Sequence, residues 1–483
     1  MKQKNFYITT TLPYVNALPH VGFAMELIRA DVIARVKKIQ GCEVFFNTGA
    51  DEHGTKIERN ATTLGQKPQE FVDKISNNFK DLIRQLNILP EAHFFRTTDP
   101  RHIAAAQEFW KRCNKNGYIY KKNYTTKYCV GCELEKTDSE LVDGRCPVHP
   151  SLSIEEIEEE NYFFKFSEFQ KPLLKMYEEN PLFVVPEFRF NEIRAFVERG
   201  LTDFSISRLR SKMSWGVEVP GDPEHVMYVW FDALVSYIST LGWPDDEKNF
   251  EKWWVKTGGV VQYCGKDNLR QQSAMWQAML MAAGLPNSQQ IVINGFITGE
   301  GGLKMSKTLG NTVSPPADIV AEYGTDALRF FVLKELQPFE DSPFTMEKFK
   351  EAYNAYLANG LGNLVSRVMK MAETNDIRIE NPDTEAEKID INKYAALYDS
   401  YEINKVCDDI WARIQAADKY IQEHEPFKTI KVDVEKGREQ VTHILGEVAH
   451  IGILLAPLLP ETSEKIAKAI RDNKIAGPLF MRK

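Results

Sequence analysis

Short apolar runs alternate with helix-spaced apolar positions over the first two-thirds of the chain. Phe6-Tyr7-Ile8-Thr9-Thr10 reads as a strand. After a turn through Leu12 to Pro19, Ile28, Val32, Val36 and Ile39 recur at helical spacing up to Gly41, a helix stop. Glu43 to Thr48 repeats the strand, and a polar glycine-containing turn, Gly49 to Thr55, again precedes a helical stretch. Asn161 to Phe166 reads as another strand. Val226 to Ala233, Val260 to Cys264 and Ile291 to Gly295 are continuous apolar strands, with helical sequence such as Gln271 to Ala283 between them. After about Phe344 the period becomes wholly helical, through Phe349, Tyr353, Tyr356, Leu361, Leu364 and Val368. A polar linker, Thr374 to Glu387, and amphipathic stretches over Tyr394 to Glu423 and Glu439 to Leu455 complete an all-helical domain.

This order predicts an α/β protein whose parallel sheet is split by an insertion and followed by helices. His20 and Gly22 fall where the first strand's carboxyl end gives way to a helix N-terminus, the place where such sheets bind ligands. Free backbone N–H groups there suit phosphate, and Gly22 lets a nucleotide approach. A helix-capping role accounts for His20 equally well. Asp51 lies at the end of the second strand, as a ligand or as a cap. Gly299 to Asn311 holds Lys304 and Lys307 in a glycine-rich stretch; it reads as a surface loop or as a source of ammonium groups for a polyphosphate.

At 483 residues the chain exceeds one ordinary core. No apolar run is long enough to span a membrane, and the first strand begins without a leader, which together predict a cytoplasmic protein. The net charge of −8 means that a nucleic-acid partner must use a local basic surface. The acidic run Ile154 to Glu160 reads as a solvated helix or loop face, and the cations after Asp203, Arg208, Arg210 and Lys212, as a solvated basic edge. Four of the seven cysteines, Cys42, Cys113, Cys264 and Cys407, are scattered. The others form Cys129-x-x-Cys132 and Cys146-x-x-His149, two knuckles that supply four ligands to one tetrahedral Zn²⁺ with no position left for a catalytic water. A redox pair is the alternative.

Taken together, the motifs resemble the class I aminoacyl-tRNA synthetases and, among them, the methionyl-tRNA synthetase family. His20-Val21-Gly22-Phe23 looks like the His-Ile-Gly-His signature, and Lys304-Met305-Ser306-Lys307-Thr308 looks like Lys-Met-Ser-Lys-Ser. The resemblance runs from Phe6 to at least Arg367. It implies a Rossmann-like catalytic domain in two halves (1–117 and 225–296), a connective insertion with the zinc knuckle (118–224), a stem-contact segment (297–345) and a helical anticodon-binding domain (346–483). It implies activation of L-methionine by Mg²⁺-ATP to methionyl-adenylate, then transfer to the terminal adenosine of initiator and elongator tRNA(Met). By similarity His20, Gly22, Lys266, Asp267, Lys304, Ser306 and Lys307 bind ATP, with His20, Lys304 and Lys307 catalytic. Leu12, Tyr14, Asp51, Trp230, Ala233, Tyr237 and Gln272 line the methionine pocket, Asp51 taking the α-ammonium. Asn363, Arg367 and Phe427 meet the anticodon, and Arg208 matches an Ile-Ser-Arg element.

Phe23, Gln272 and Phe427 depart from the family's histidine, histidine and tryptophan. Two other functions compete: a synthetase for another apolar amino acid, disfavoured because no segment is long enough for an editing domain, and a non-catalytic tRNA-binding relative, disfavoured by the presence of His20, Asp51, Lys304 and Lys307. A monomer is expected.

Overall fold

The computed structural model describes residues 4–136, 138–299, 314–379 and 391–483. Six parallel strands form the central sheet: β1 (Asn5–Thr10), β2 (Glu43–Ala50), β3 (His93–Arg96), β7 (Val184–Val185), β12 (Val261–Gly265) and β13 (Gln290–Asn294), in the order β3-β2-β1-β12-β13-β7. β2 and β3 build outward from β1 on one side, and β13 and then β7 build outward from β12 on the other. The strand order therefore reverses between β1 and β12, which pair in register from Ile8 opposite Val261 to Thr10 opposite Tyr263. A crevice opens at such a reversal, beyond the carboxyl ends of the strands.

Helix α1 (Val21–Ile39) follows β1 and is buried over most of its length. Helices α2 (Thr55–Thr63) and α3 (Pro68–Gln85) follow β2, and α4 (Pro100–Lys115) follows β3. The insertion adds an antiparallel sheet of β5 (Leu134–Lys136), β4 (Ile119–Cys129), β6 (Glu155–Phe164) and β8 (Phe204–Ser205). A three-stranded sheet follows, with β11 (Asp222–Met227) between β10 (Glu218–Val219) and β9 (Ser207–Leu209).

Two readings of the sequence are corrected here. The acidic run is not a helix or loop face: β6 starts at Glu155 and pairs with β4, Glu156 opposite Lys127 and Tyr162 opposite Lys121. Its charges are answered across the ladder, as in the Lys121–Glu160 contact at 3.2 Å. Val226 to Ala233 is not a strand of the parallel sheet. β11 ends at Met227 in the antiparallel sheet, and Val229–Ala233 is a short helix. Both forms bury the same apolar run, so hydrophobicity alone does not separate them.

The C-terminal part is helical, with long helices Asn363–Thr374, Ile403–His424, Val434–Leu455 and Pro460–Asp472. It is tied to the catalytic half by Arg329, fully buried, whose Nη2 meets Asp31 of α1 at 2.8 Å while its Nε donates to the Leu458 carbonyl. No helix among the described residues is long and apolar enough to cross a membrane.

Candidate active site

The two loops at the crevice are joined backbone to backbone. Val15 N–H donates to the Asp51 carbonyl at 3.1 Å and Asp51 N–H to the Pro13 carbonyl at 2.9 Å. Tyr14 and Asp51 thus come side by side from β1 and β2, and Leu12 packs close to Gly49. His20 is the N-cap of α1, its Nδ1 accepting the Gly22 N–H at 3.1 Å. A Cβ on residue 22 would lie 2.9 Å from the imidazole, so this cap requires glycine. Capping does not remove His20 from the crevice: the residue keeps an exposed surface, while burial around the imidazole pushes its pKa below the ordinary value, partly offset by the charge of Asp267.

Asp51 is buried, and its Oδ1 has no hydrogen-bond partner. Burial, followed by the charges of Asp232, Glu52 and Glu133, pushes its carboxyl well above the usual range. A buried carboxylate in an acidic neighbourhood is costly unless a cation meets it. Asp232 differs. Burial alone would raise its carboxyl, but His53 and His102 bring it down to about 2. Its two oxygens meet His53 Nδ1 at 2.7 Å and His102 Nε2 at 2.6 Å.

Trp230, Ala233 and Asp232 share the short helix that follows β11. Trp230, like Tyr14 and Val130, packs against the buried cluster of Tyr128, Tyr228 and Val229, and its indole N–H is buried without a partner. Tyr237 and Gln272 are buried together, Gln272 Nε2 donating to the Tyr237 hydroxyl at 2.7 Å. The structure thus gathers Leu12, Tyr14 and Asp51 in the two joined loops and pairs Tyr237 with Gln272. Lys266 follows β12 and is bound to Asp341 at 2.6 Å, with its ammonium 4.4 Å from the Phe296 ring. Asp267 is its neighbour in the same turn. Lys304, Ser306 and Lys307 lie outside the described residues.

The knuckle closes as its spacing predicts. The ligand atoms of Cys129, Cys132, Cys146 and His149 lie within 4.8 Å of one another. Cys132 Sγ is 3.5 Å from Cys146 Sγ and 3.2 Å from His149 Nδ1. Zinc–sulfur bonds of about 2.3 Å at tetrahedral angles place sulfurs about 3.8 Å apart, so the donors fit that ion. A Cβ on Gly131 would sit 2.5 Å from the His149 ring, which excludes any side chain there.

Arg208 corrects the reading of a solvated basic edge. It is buried, its guanidinium 4.7 Å from the Tyr228 ring and 5.1 Å from the Tyr128 ring, with Nη1 donating to Ser205 Oγ at 2.8 Å. Arg210 and Lys212 do lie on the surface. In the helical part Asn363 is exposed and Arg367, one turn later, binds Asp418 at 2.6 Å. Phe427 is 41% exposed beside Lys428.

The sequence reading did not single out Asp232, His53, His102 or Glu133. The signal for Asp232 was one acid inside an otherwise apolar run, a position that a folded chain fills only when partners wait for it.

Residues 6–154 and 151–369 match the family model described as tRNA synthetases class I (M), and residues 378–479 match the anticodon binding domain of methionyl tRNA ligase. The methionine–tRNA ligase of Thermosynechococcus vestitus is 42% identical over 96% of this chain and 89% of its own. That of Nostoc sp. is 40% identical over 96% and 89%. The solved Mycobacterium tuberculosis methionyl-tRNA synthetase in complex with methionyl-adenylate superposes with a TM-score of 0.88 at 36% identity, covering 96% of this chain and 93% of that one. The fold, its crevice and its helical appendage are thus those of a class I aminoacyl-tRNA synthetase. Within that class the chain belongs to the methionyl-tRNA synthetase family, the methionine–tRNA ligases.

Proposed function

We propose that this methionine–tRNA ligase divides its chemistry among the residues gathered at the crevice. Asp51 takes the α-ammonium of L-methionine. The observation that carries this is the buried, unpartnered Oδ1, set among three further carboxylates. A charged hydrogen bond there is worth about 1.5–3 kcal/mol and relieves the cost of the bare carboxylate. Leu12, Tyr14, Trp230, Ala233, Tyr237 and Gln272 enclose the side chain, the aromatic faces suiting a polarisable thioether.

Mg²⁺-ATP enters at the mouth, over His20 and Gly22, with Lys266, Asp267 and Ser306 as further contacts. The methionine carboxylate attacks the α-phosphorus and pyrophosphate leaves. Charge grows on the phosphoryl oxygens and the leaving group during that displacement. Lys304 and Lys307 answer it electrostatically, without a covalent enzyme intermediate. A ribose hydroxyl of the terminal adenosine of tRNA(Met), initiator or elongator, then attacks the carbonyl carbon of the adenylate, the bond to the phosphate oxygen breaks, and AMP leaves. Asn363, Arg367 and Phe427 read the unpaired anticodon bases by hydrogen bonding and stacking.

One structural Zn²⁺ is held by Cys129, Cys132, Cys146 and His149, where it orders the insertion and takes no part in bond making. The domain division is 1–117 and 225–296 for the catalytic halves, 118–224 for the insertion, 297–345 for the stem contact and 346–483 for anticodon binding. We take the enzyme to be a cytoplasmic monomer. Methionine-dependent exchange of pyrophosphate into ATP tests the whole assignment: the wild-type chain should show it and Asp51→Ala should lose nearly all of it. Comparable exchange with leucine at equal concentration would overturn the specificity.

A further inference from the structure

We propose that Glu133, a residue of the zinc knuckle, is a positioning residue for the methionine pocket, holding the loop after β1 and the start of α2 in one arrangement. The proposal rests on the reading of Tyr14 as a wall of that pocket.

Glu133 follows Cys132 directly and has a φ of 51°, the left-handed region that a glutamate enters only at a cost. The turn sends its side chain inward, leaving the residue 5% exposed. There the carboxylate is fully employed. Oε1 accepts from the Tyr14 hydroxyl at 3.1 Å and from the Lys56 backbone N–H at 3.0 Å. Oε2 accepts from the Tyr128 hydroxyl. None of these contacts serves the knuckle's own ligands. Tyr14 belongs to the loop after β1, Lys56 to the first turn of α2, and Tyr128 to the apolar cluster that holds Trp230.

The Lys56 contact has a particular meaning. The N-cap of α2 is Gly54, which has no side chain to cap with. An orphan N–H of that helix is answered by a carboxylate from 77 residues away, which also suits the helix dipole. Because Asp51 is hydrogen-bonded through the backbone to Pro13 and Val15, on either side of Tyr14, and lies four residues before Thr55, one carboxylate fixes both pocket loops. Val130, on the other side of Cys132, packs into the same cluster as Tyr14 and Trp230. The knuckle therefore touches the pocket through a polar clamp and an apolar contact.

A residue that only supported the knuckle would affect metal retention; a positioning residue affects methionine. The test uses full-length, zinc-replete protein carrying Glu133→Ala, Glu133→Gln, Tyr14→Phe, or Glu133→Ala with Tyr14→Phe. Zinc content, calorimetric methionine binding and pyrophosphate exchange are measured on each. Glu133→Ala should keep its zinc, weaken methionine binding about tenfold, and change the KM for ATP by less than about twofold. Glu133→Gln retains an acceptor oxygen and should recover most of the affinity, which also guards against a variant that folds poorly. Adding Glu133→Ala to Tyr14→Phe should cost less than it does alone, since part of its role is already gone. Unchanged methionine affinity in zinc-replete Glu133→Ala would overturn the proposal. So would strictly additive effects, or methionine affinity lost only in step with zinc. A wild-type chain that neither bound nor activated methionine would instead bring down the reading of the pocket itself.

Discussion

Gln272 donates its side-chain N–H to the Tyr237 hydroxyl at 2.7 Å, and its Oε1 accepts from Gln262 Nε2 at the same distance. Gln262 in turn accepts from Ser288 Oγ at 2.5 Å. The residue that departs from the family's histidine thus sits within a buried chain running from Tyr237 through Gln272 and Gln262 to Ser288. It offers one donor and one acceptor, as a neutral histidine does.

Removing it takes a partner from both the Tyr237 hydroxyl and the Gln262 amide, a lost buried hydrogen bond costing about 1–3 kcal/mol where no other group or water replaces it. Gln272→Ala should lower kcat/KM for methionine about tenfold. Gln272→His should lie close to wild type, and Gln272→Glu, which has no donor when ionised, should be the worst of the three. A Gln272→Ala enzyme with unaltered methionine kinetics would show that the chain has no bearing on the pocket.

Much of this was legible in the residues. Phe6 to Gly41 announced strand, loop and helix because its periodicity changes abruptly at His20, and the four knuckle ligands announced themselves by spacing alone. Other features were hidden because their meaning lies in a distant partner. The acidic run Ile154 to Glu160 read as a helix or loop face because nothing local marks it as the strand that β4 pairs with, although Glu156, Glu158 and Glu160 do stay exposed on that strand. Arg208 read as a surface cation until two tyrosine rings, 80 and 20 residues away, close around it. Glu133 was invisible because its three donors come from three separate segments.

The metal should matter to the shape of the insertion and only indirectly to bond making. Cys146→Ala should bind less than one zinc per chain and melt at a lower temperature, since a closed structural site contributes folding energy directly. Elemental analysis and a melting curve check this. Metal-free protein with an unchanged melting curve would contradict it.

Lys307→Ala should slow adenylate formation far more than it weakens methionine binding, because the charge it answers appears only in the transition state. An electrostatic contact of this kind is worth about 3–4 kcal/mol, or two to three decades in kcat. Single-turnover adenylate formation at saturating methionine and ATP reads it. An effect confined to the KM for methionine would remove Lys307 from its assigned role.

Asp232 and Asp51 make opposite demands on the same few ångströms, and pH separates them. The Asp232 carboxyl is depressed to about 2 against an ordinary 3.8. A depressed acid contributes stability that is present above its unfolded pKa and lost as pH falls toward the folded one. The shift corresponds to roughly 2 kcal/mol at neutral pH. Asp232→Asn should therefore unfold at lower denaturant at pH 7, and the gap to wild type should begin to narrow below about pH 4. The Asp51 carboxyl is raised, partly by the charge of Asp232. Methionine binds the ionised form, so affinity should fall as pH drops through that raised value, and binding should release a proton between the lowered pKa of the bound state and the raised pKa of the ligand-free protein. Taking away Asp232's charge lowers the Asp51 pKa and moves this acid limb toward lower pH. It also weakens the attraction for the ammonium at high pH. Asp232→Asn should thus bind methionine more weakly at pH 8 yet lose less of its affinity on acidification. Calorimetric titrations carried from pH 8 downward through the acid limb of the wild-type affinity would show the two affinity curves drawing together. Curves that stay parallel over that range would mean that Asp232 supports the fold alone and does not act on Asp51.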